Sequence, residues 1–541
     1  MRSPNGAASP ARRSVSRSLS TVLAVLVVTA TAFSPVSAGA PSASRADTDW
    51  AGWNPGLDGS RHAAGEQRIT PRTASSLKLK WAFQMPRITN TMAKSQPAVV
   101  NGTLYVGATD GTFHAMDAKT GESRWTFDTA AVGGLPQSAA IWDGPTVVGD
   151  RVYFSGQGGY MYALDTRTGA LVWASKLADH AQANFTSSPV YYRGKLYIGL
   201  SSYESGTDPT YACCTFRGQV IAVDAATGAV VWRYYTVPEP QADGTWPSGA
   251  TKFAPSGGAV WGTPSIDTRT GVLYVGTGQN YTGSGGDVDS MLALSTATGA
   301  VVWKNKMVDV DTWRLLCRNP TATGYCPSLG DGTALDFDIG SVPNLFTAGG
   351  RRLVGAGQKT GVYHVWDAAT GQIVWQRQLG AAVPNGGDGG IQWGASYDGQ
   401  KLYVATYMAR PGTLFALNPA NGDIVWQTPN PANGCAWGGA AAFPQMCMLA
   451  HTPAVTTSPG LVYLGSMDGK FRVYSSRTGD VLWEYDTVRD FAAVNGAGRG
   501  SAISGNGGAV VADGMVYVHS GYYPFYPSPG DKGYVLLAFG L

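Results

Sequence analysis

The stretch DAATGAVVW at 224–232 decides the fold. Asp224 and Thr227 carry short polar side chains that bond to nearby backbone. Gly228 supplies the positive φ of a tight turn, and Trp232 enters the next strand. The unit returns as DAKTGESRW at 117–125, DTRTGALVW at 165–173 and DAATGQIVW at 367–375. Looser copies are STATGAVVW at 295–303, NPANGDIVW at 418–426 and SSRTGDVLW at 475–483. Each follows a β-rich run such as LYVG at 104–107 or 273–276. Seven such units, separated by inserted loops of uneven length, predict a β-propeller. An eighth unit, 515–520 with 533–540, lacks the closing Trp. Its missing strand is expected early, in LKLKWAF at 77–83, where Trp81 stands in the right place. Pairing first strand with last unit closes the ring and leaves no exposed edge. The expected fold is all-β, an eight-bladed β-propeller closed by an N-terminal strand, with seven blades as the alternative.

Composition fits many short strands joined by tight turns. Of 541 residues 72 are glycine, about 13% against a usual ~7%. Charged residues are 14% and hydrophobic ones 44%, which excludes a disordered polyelectrolyte. A formal charge of +3 is too small to argue for nucleic acid. Residues 1–38 read as an export signal: Arg2, Arg12, Arg13 and Arg17, an apolar run at 21–33, then VSA at 36–38. That run is too short for a stop-transfer helix. The pair Arg12-Arg13 invites a twin-arginine reading that its flanks fit poorly. Cleavage after Ala38 removes four arginines and no acid, taking the formal charge from +3 to −1. Residues 39–49 read as a linker and 50–541 as a single propeller domain. No later stretch has 18 uninterrupted apolar residues, so the expected location is secreted or extracytoplasmic, with no membrane span. The spacing of the six cysteines suggests local bridges 213–214, 317–326 and 435–447, among fifteen formal connectivities. No Cys-x-x-Cys-His occurs, so no covalent haem is expected.

Four segments carry a resemblance: CCTFRG at 213–218, GTGQNY at 276–281, DFDIGS at 336–341 and GQKTG at 357–361. With the Trp-ending repeats, they make the chain resemble the quinoprotein alcohol dehydrogenases, nearest the polyvinyl-alcohol dehydrogenase branch. These propellers hold pyrroloquinoline quinone and a divalent cation, commonly Ca2+, on the axis. The resemblance covers nearly all of the chain after about residue 48. It implies that a Cys213–Cys214 ring forms one wall against the flat quinone, with Trp261 opposite. The bare residues also allow two reduced thiols, or pairing with distant cysteines. Glu204 matches the carboxylate ligand of the cation, and Gln279 or Asn280 the second ligand. An aspartate is expected at position 279, where the neutral Gln279 lowers the ligand charge.

Asp336 matches the base that takes the alcohol proton. Asp338, two residues on, would face the same way on an extended segment. Lys359 matches a cation for the quinone oxygens. Thr186 and the pair Gln392-Trp393 match polar contacts of the cofactor. Ser138-Ala139-Ala140-Ile141-Trp142 stands where an arginine for a cofactor carboxylate is expected, so Arg217 or another cation would have to substitute. The implied activity is oxidation of secondary alcohols, polymeric ones included, by hydride transfer to the quinone. An external acceptor such as a separate cytochrome would then take the electrons. Two other readings stay open: a non-catalytic binding or assembly scaffold, and a carbohydrate-active propeller using Asp336 and Glu204. Convergence of Glu204, Gln279 or Asn280, Asp336 and Lys359 on one pocket separates these.

Overall fold

Each repeat folds as a four-stranded antiparallel blade whose outermost strand carries the Trp. The computed structural model describes residues 48–541 except 87–94, 133–139, 319–323, 327–335, 382–388, 408–410, 437, 443–446, 504, 506 and 522–533. The export signal and most of the linker therefore lie outside the described residues, as do Ser138 and Ala139. Among the described residues there are eight blades: 98–128, 146–176, 190–235, 265–306, 344–378, 396–429, 456–486 and 510–540. Blade 3 gains a fifth strand, Ala183–Asn184, and blade 8 takes its outer strand from Lys78–Gln84. That pairing aligns Trp81 with Ala538 and Gln84 with Val535, which closes the ring as expected. The eight blades lie within one unit, Ser44–Leu541. No helix among the described residues is long and apolar enough to cross a membrane.

The Trp of each blade docks on the turn of the next. Trp81, Trp125, Trp173 and Trp232 donate Nε1–H to the carbonyls of Ala118, Thr166, Ala225 and Thr296. Trp303, Trp375, Trp426 and Trp483 donate to Ala368, Pro419, Ser476 and Leu77. The last of these runs from blade 7 back to the N-terminal strand and completes the circle. The indole needs a bare backbone beneath it. A Cβ on Gly299, whose φ is +74°, would lie 2.6 Å from the Trp232 ring. Glycine here meets two demands at once, a left-handed backbone and a close approach.

Residues 50–66 cross the inner strands like a strap. Trp50 exchanges both backbone bonds with Val99 of blade 1, and Ala51 accepts from Val147 of blade 2. Leu57 packs on blade 3 beside Val190 and accepts from Ile266 of blade 4. Asp58, Ser60 and Arg61 accept from Leu345, Tyr397 and Thr457 of blades 5, 6 and 7, and the Glu66 side chain accepts from Gly514 of blade 8. Arg61 is fully buried and anchors the strap. Its guanidinium donates to the carbonyls of Trp53, Val455 and Ala509 and to Thr456 Oγ1, between the Trp50 and Trp53 rings.

Alanine at Gly299 is expected to lower stability by about 2 kcal/mol, from left-handed strain plus the displaced indole. Gly349→Ala, at φ +56° with no atom within 4 Å of the new Cβ, should lose only about 1 kcal/mol. Equal losses in urea denaturation would assign the whole effect to the backbone.

Candidate active site

The loops that lead into the inner strands, and those between second and third strands, gather at the end of the ring away from the strap's turns. Asp336 and Asp338 lie on the approach to blade 5, and both reach Lys359, in the turn after Arg351–Gly357. Lys359 Nζ is 2.9 and 2.8 Å from the Asp336 oxygens and 2.8 Å from Asp338 Oδ2. All three residues are buried. The two aspartates do face the same way, and Lys359 is no surface charge. Burial alone would push the Lys359 ammonium down, but the two carboxylates more than reverse this and raise it.

Asp338 also fixes its surroundings. Its Oδ2 accepts the Trp261 indole N–H at 2.9 Å and its Oδ1 the Gln279 backbone N–H at 2.8 Å. Trp261 lies flat against Gly340, where a Cβ would come 1.7 Å from the ring. Lys359 Nζ stands 5.2 Å over the Trp261 ring, and Trp393 meets that ring edge-on at 4.6 Å. Thr186 Oγ1 donates to the Trp261 carbonyl, and the Gln392 carbonyl accepts from Ser341.

A second group forms around Glu204, which is fully buried. Its carboxylate accepts the backbone N–H of Thr215 at 2.8 Å and of Phe216 at 2.7 Å, with Thr215 Oγ1, Ser256 Oγ and His180 Nε2 at 3.3–3.5 Å. Cys213 and Cys214 are bridged to each other across a cis peptide, and 317–326 and 435–447 are the other pairs. The Cys213 carbonyl is held by the Trp246 indole and by Phe253 N–H. Trp261 packs at the edge of the apolar cluster that contains both cysteines.

The strip 278–280 joins the two groups. Asn280 Nδ2 donates to the carbonyls of Ser256 and Gly285, so Ser256 lies between Asn280 and Glu204. The Gln279 side chain turns instead to the Trp313 carbonyl. Tyr281 sits between the groups, its ring on Phe216 and its hydroxyl donating to Ser202. Burial, opposed by the Ser202 bond and aided by the charges of Asp338, Glu204 and Asp336, pushes that phenol up. Arg217 is not part of either group. Its guanidinium is spent on Glu239, the Val237 carbonyl and the face of Tyr235.

Sequence reasoning missed Asp289 and Asp311. Asp311 Oδ2 accepts the Phe337 N–H at 2.7 Å, between the two aspartates of the DFD run. Burial, then Asp336 and Asp338, push the Asp311 carboxyl up to about 9. Burial and Asp311 raise that of Asp289. The only signal in the sequence was a cluster of acids, at 287–289 and 309–311, with no place in the repeat.

Comparisons with known proteins speak to the family and the fold. The glucose/ethanol/alcohol dehydrogenase β-propeller domain model matches residues 50–316, and that of the outer membrane protein assembly factor BamB matches 358–524. A polyvinylalcohol dehydrogenase of a Pseudomonas species is 33% identical, over 91% of this chain and 77% of its own. One from a Sphingopyxis species is also 33% identical, over 92% and 77%. Among solved structures, a europium-containing methanol dehydrogenase superposes with a TM-score of 0.66 at 20% identity, covering 92% of this chain and 98% of its own.

The loop behind Lys359 carries a pH signature. His364 bonds Gln358 Oε1 at 2.8 Å and Gln376 Nε2 at 2.7 Å, and burial pushes its imidazole from 6.5 down to about 4. Between those values the unfolded chain takes a proton that the folded one refuses. Stability is therefore full above about pH 6.5 and falls toward pH 4, by roughly 3 kcal/mol for this group. His364→Gln should flatten that slope by one proton's worth in denaturation series across the window.

Proposed function

Because the chain belongs to the pyrroloquinoline quinone-dependent alcohol dehydrogenases, we propose that the cluster around Lys359 is its catalytic centre and that secondary alcohols are its substrates. The observation that carries this reading is the convergence of Asp336, Asp338, Lys359 and Trp261 in one buried hydrogen-bonded group. The kinship with polyvinylalcohol dehydrogenases supports hydroxyls of a polymer as the substrate class. The scaffold reading has weaker support, since the assembly-factor model matches only 358–524.

When bound, the quinone supplies a hydride acceptor. Asp336 takes the hydroxyl proton of the alcohol on a carboxylate oxygen as the carbon-bound hydrogen leaves as hydride. The ammonium of Lys359, set against both Asp336 oxygens, holds that carboxylate in place. Asp338 positions three neighbours at once: Lys359, the Trp261 indole and the strip at Gln279. Trp261 and the Cys213–Cys214 ring supply flat apolar walls, and Thr186, Gln392 and Trp393 line the Trp261 side. Glu204 and Asn280 fit a hard cation such as Ca2+ in donor chemistry: a buried carboxylate and an amide oxygen left over from the Nδ2 bonds, joined through Ser256. Gln279, turned to Trp313, is the weaker ligand of the two amides. Such an ion would polarise the quinone carbonyl. Arg217, tied to Glu239, is not available to a cofactor carboxylate without giving up that pair.

The protein acts outside the cytoplasm in this reading, after loss of residues 1–38, and passes electrons to a separate acceptor such as a cytochrome. Asp336→Asn should lower kcat by about 10²–10⁴ in a dye-linked assay with added quinone and calcium, while quinone binding by absorbance titration persists. Full activity in that variant would remove Asp336 from the role of base.

A further inference from the structure

We infer that Asp289 and Asp311 form a second cation site, behind the strip 278–280, for a hard divalent ion such as calcium. Asp289 is fully buried and Asp311 is 3% exposed. Both oxygens of Asp289 and Oδ1 of Asp311 have no hydrogen-bond partner among the described residues. The fourth oxygen, Asp311 Oδ2, accepts the Phe337 N–H.

Backbone bonds hold both residues against the strip. Asp289 N–H donates to the Gly278 carbonyl, and Asn280 N–H donates to the Asp311 carbonyl. After burial, the charge of Asp311 acts most strongly on the Asp289 carboxyl, ahead of Asp338 and Asp336. Four carboxyl groups thus crowd one buried region, and Lys359, the cation among them, spends its contacts on Asp336 and Asp338. Among the described residues, the pair behind the strip has no ion-pair partner. An interior carboxylate is costly unless it is paired, protonated or metal-bound.

The donors match a hard ion. Such a cation takes carboxylate oxygens singly or in pairs and completes its shell with carbonyls and water. Three unpartnered carboxylate oxygens supply the charged part of that shell. The position differs from the ligands assigned to the quinone's cation. Glu204 accepts from Thr215, Phe216 and Ser256, and faces the strip from the Ser256 side. An ion between Asp289 and Asp311 would tie the strip to the 336–338 segment that carries the proposed base. The site needs neither the quinone nor the role given to Glu204.

The test uses the full chain, treated with chelator and free of quinone, titrated with calcium chloride in a calorimeter and melted with and without the metal. Glu204→Gln removes the other carboxylate ligand and should still bind one calcium per chain, with a higher Tm in its presence. Adding Asp289→Asn or Asp311→Asn to that protein should weaken calcium binding at least tenfold and abolish the Tm shift. Asp311→Asn keeps an acceptor for Phe337 N–H and carries the test alone if Asp289→Asn fails to fold. A flat titration of the Glu204→Gln protein would mean that the pair holds protons, and would overturn the site. Asparagine variants that bind calcium as their parent does would overturn it equally.

Discussion

The tryptophan docked on the next blade's glycine turn is the contact on which the ring depends. Each indole does two things at once: it buries a large apolar face between neighbouring sheets and spends its N–H on a turn carbonyl. Because the donor sits in one blade and the acceptor in the next, the contact is directional. Seven dock on a glycine turn and the eighth, Trp483, on the Leu77 carbonyl; the series returns to its starting point only if the N-terminal strand joins the last blade, with Trp81 reaching Ala118. Seven of the 72 glycines stand in these turns. At Gly299 and its equivalents a side chain would occupy the place of the ring.

Closure in turn makes the axis a place for chemistry. The strap fills the axial end near the turns at Asn101 and Gly514, where Asp49 and Glu66 accept backbone N–H groups. The loops bearing Asp336, Lys359, Trp261 and Asn280 belong to the other end. Buried there, charged groups lie in a low dielectric, which strengthens their mutual pull and makes any unmatched charge expensive. Lys359 between two aspartates follows from that economy, and so does the question of what neutralises Asp289 and Asp311.

Much of this was legible in the sequence because it is periodic or local. The Trp–Gly repeat set the blade number, and LKLKWAF at 77–83 revealed the closure. The spacing Asp336–Asp338 put two carboxylates on one side of an extended segment. What escaped was set by register and by distant chain. Gln279 and Asn280 are neighbours whose side chains leave the strand in different directions, and only the pairing with Gly257 decides which one faces Ser256. Arg217 lies beside Phe216, whose N–H bonds Glu204, yet its own side chain is captured by Glu239, twenty-two residues on. The strap left no mark in the sequence at all, because its contacts are mostly backbone bonds that many side chains would allow.

The strap and the closing strand also govern the order in which the molecule can be completed. Residues 50–84 are made before every blade, yet their partners include Ala509, 448 residues away from Arg61, and Leu77 meets Trp483 across 406 residues. Blades 1 to 7 can form from local hairpins as they emerge. The first segment must wait, with apolar Trp50, Trp53 and Trp81 unsatisfied, until the last hairpin exists. Contacts of such long sequence separation are slow to form. The earliest part of the chain is therefore the last to be secured, and the seam between the two ends is the natural point at which folding can stall.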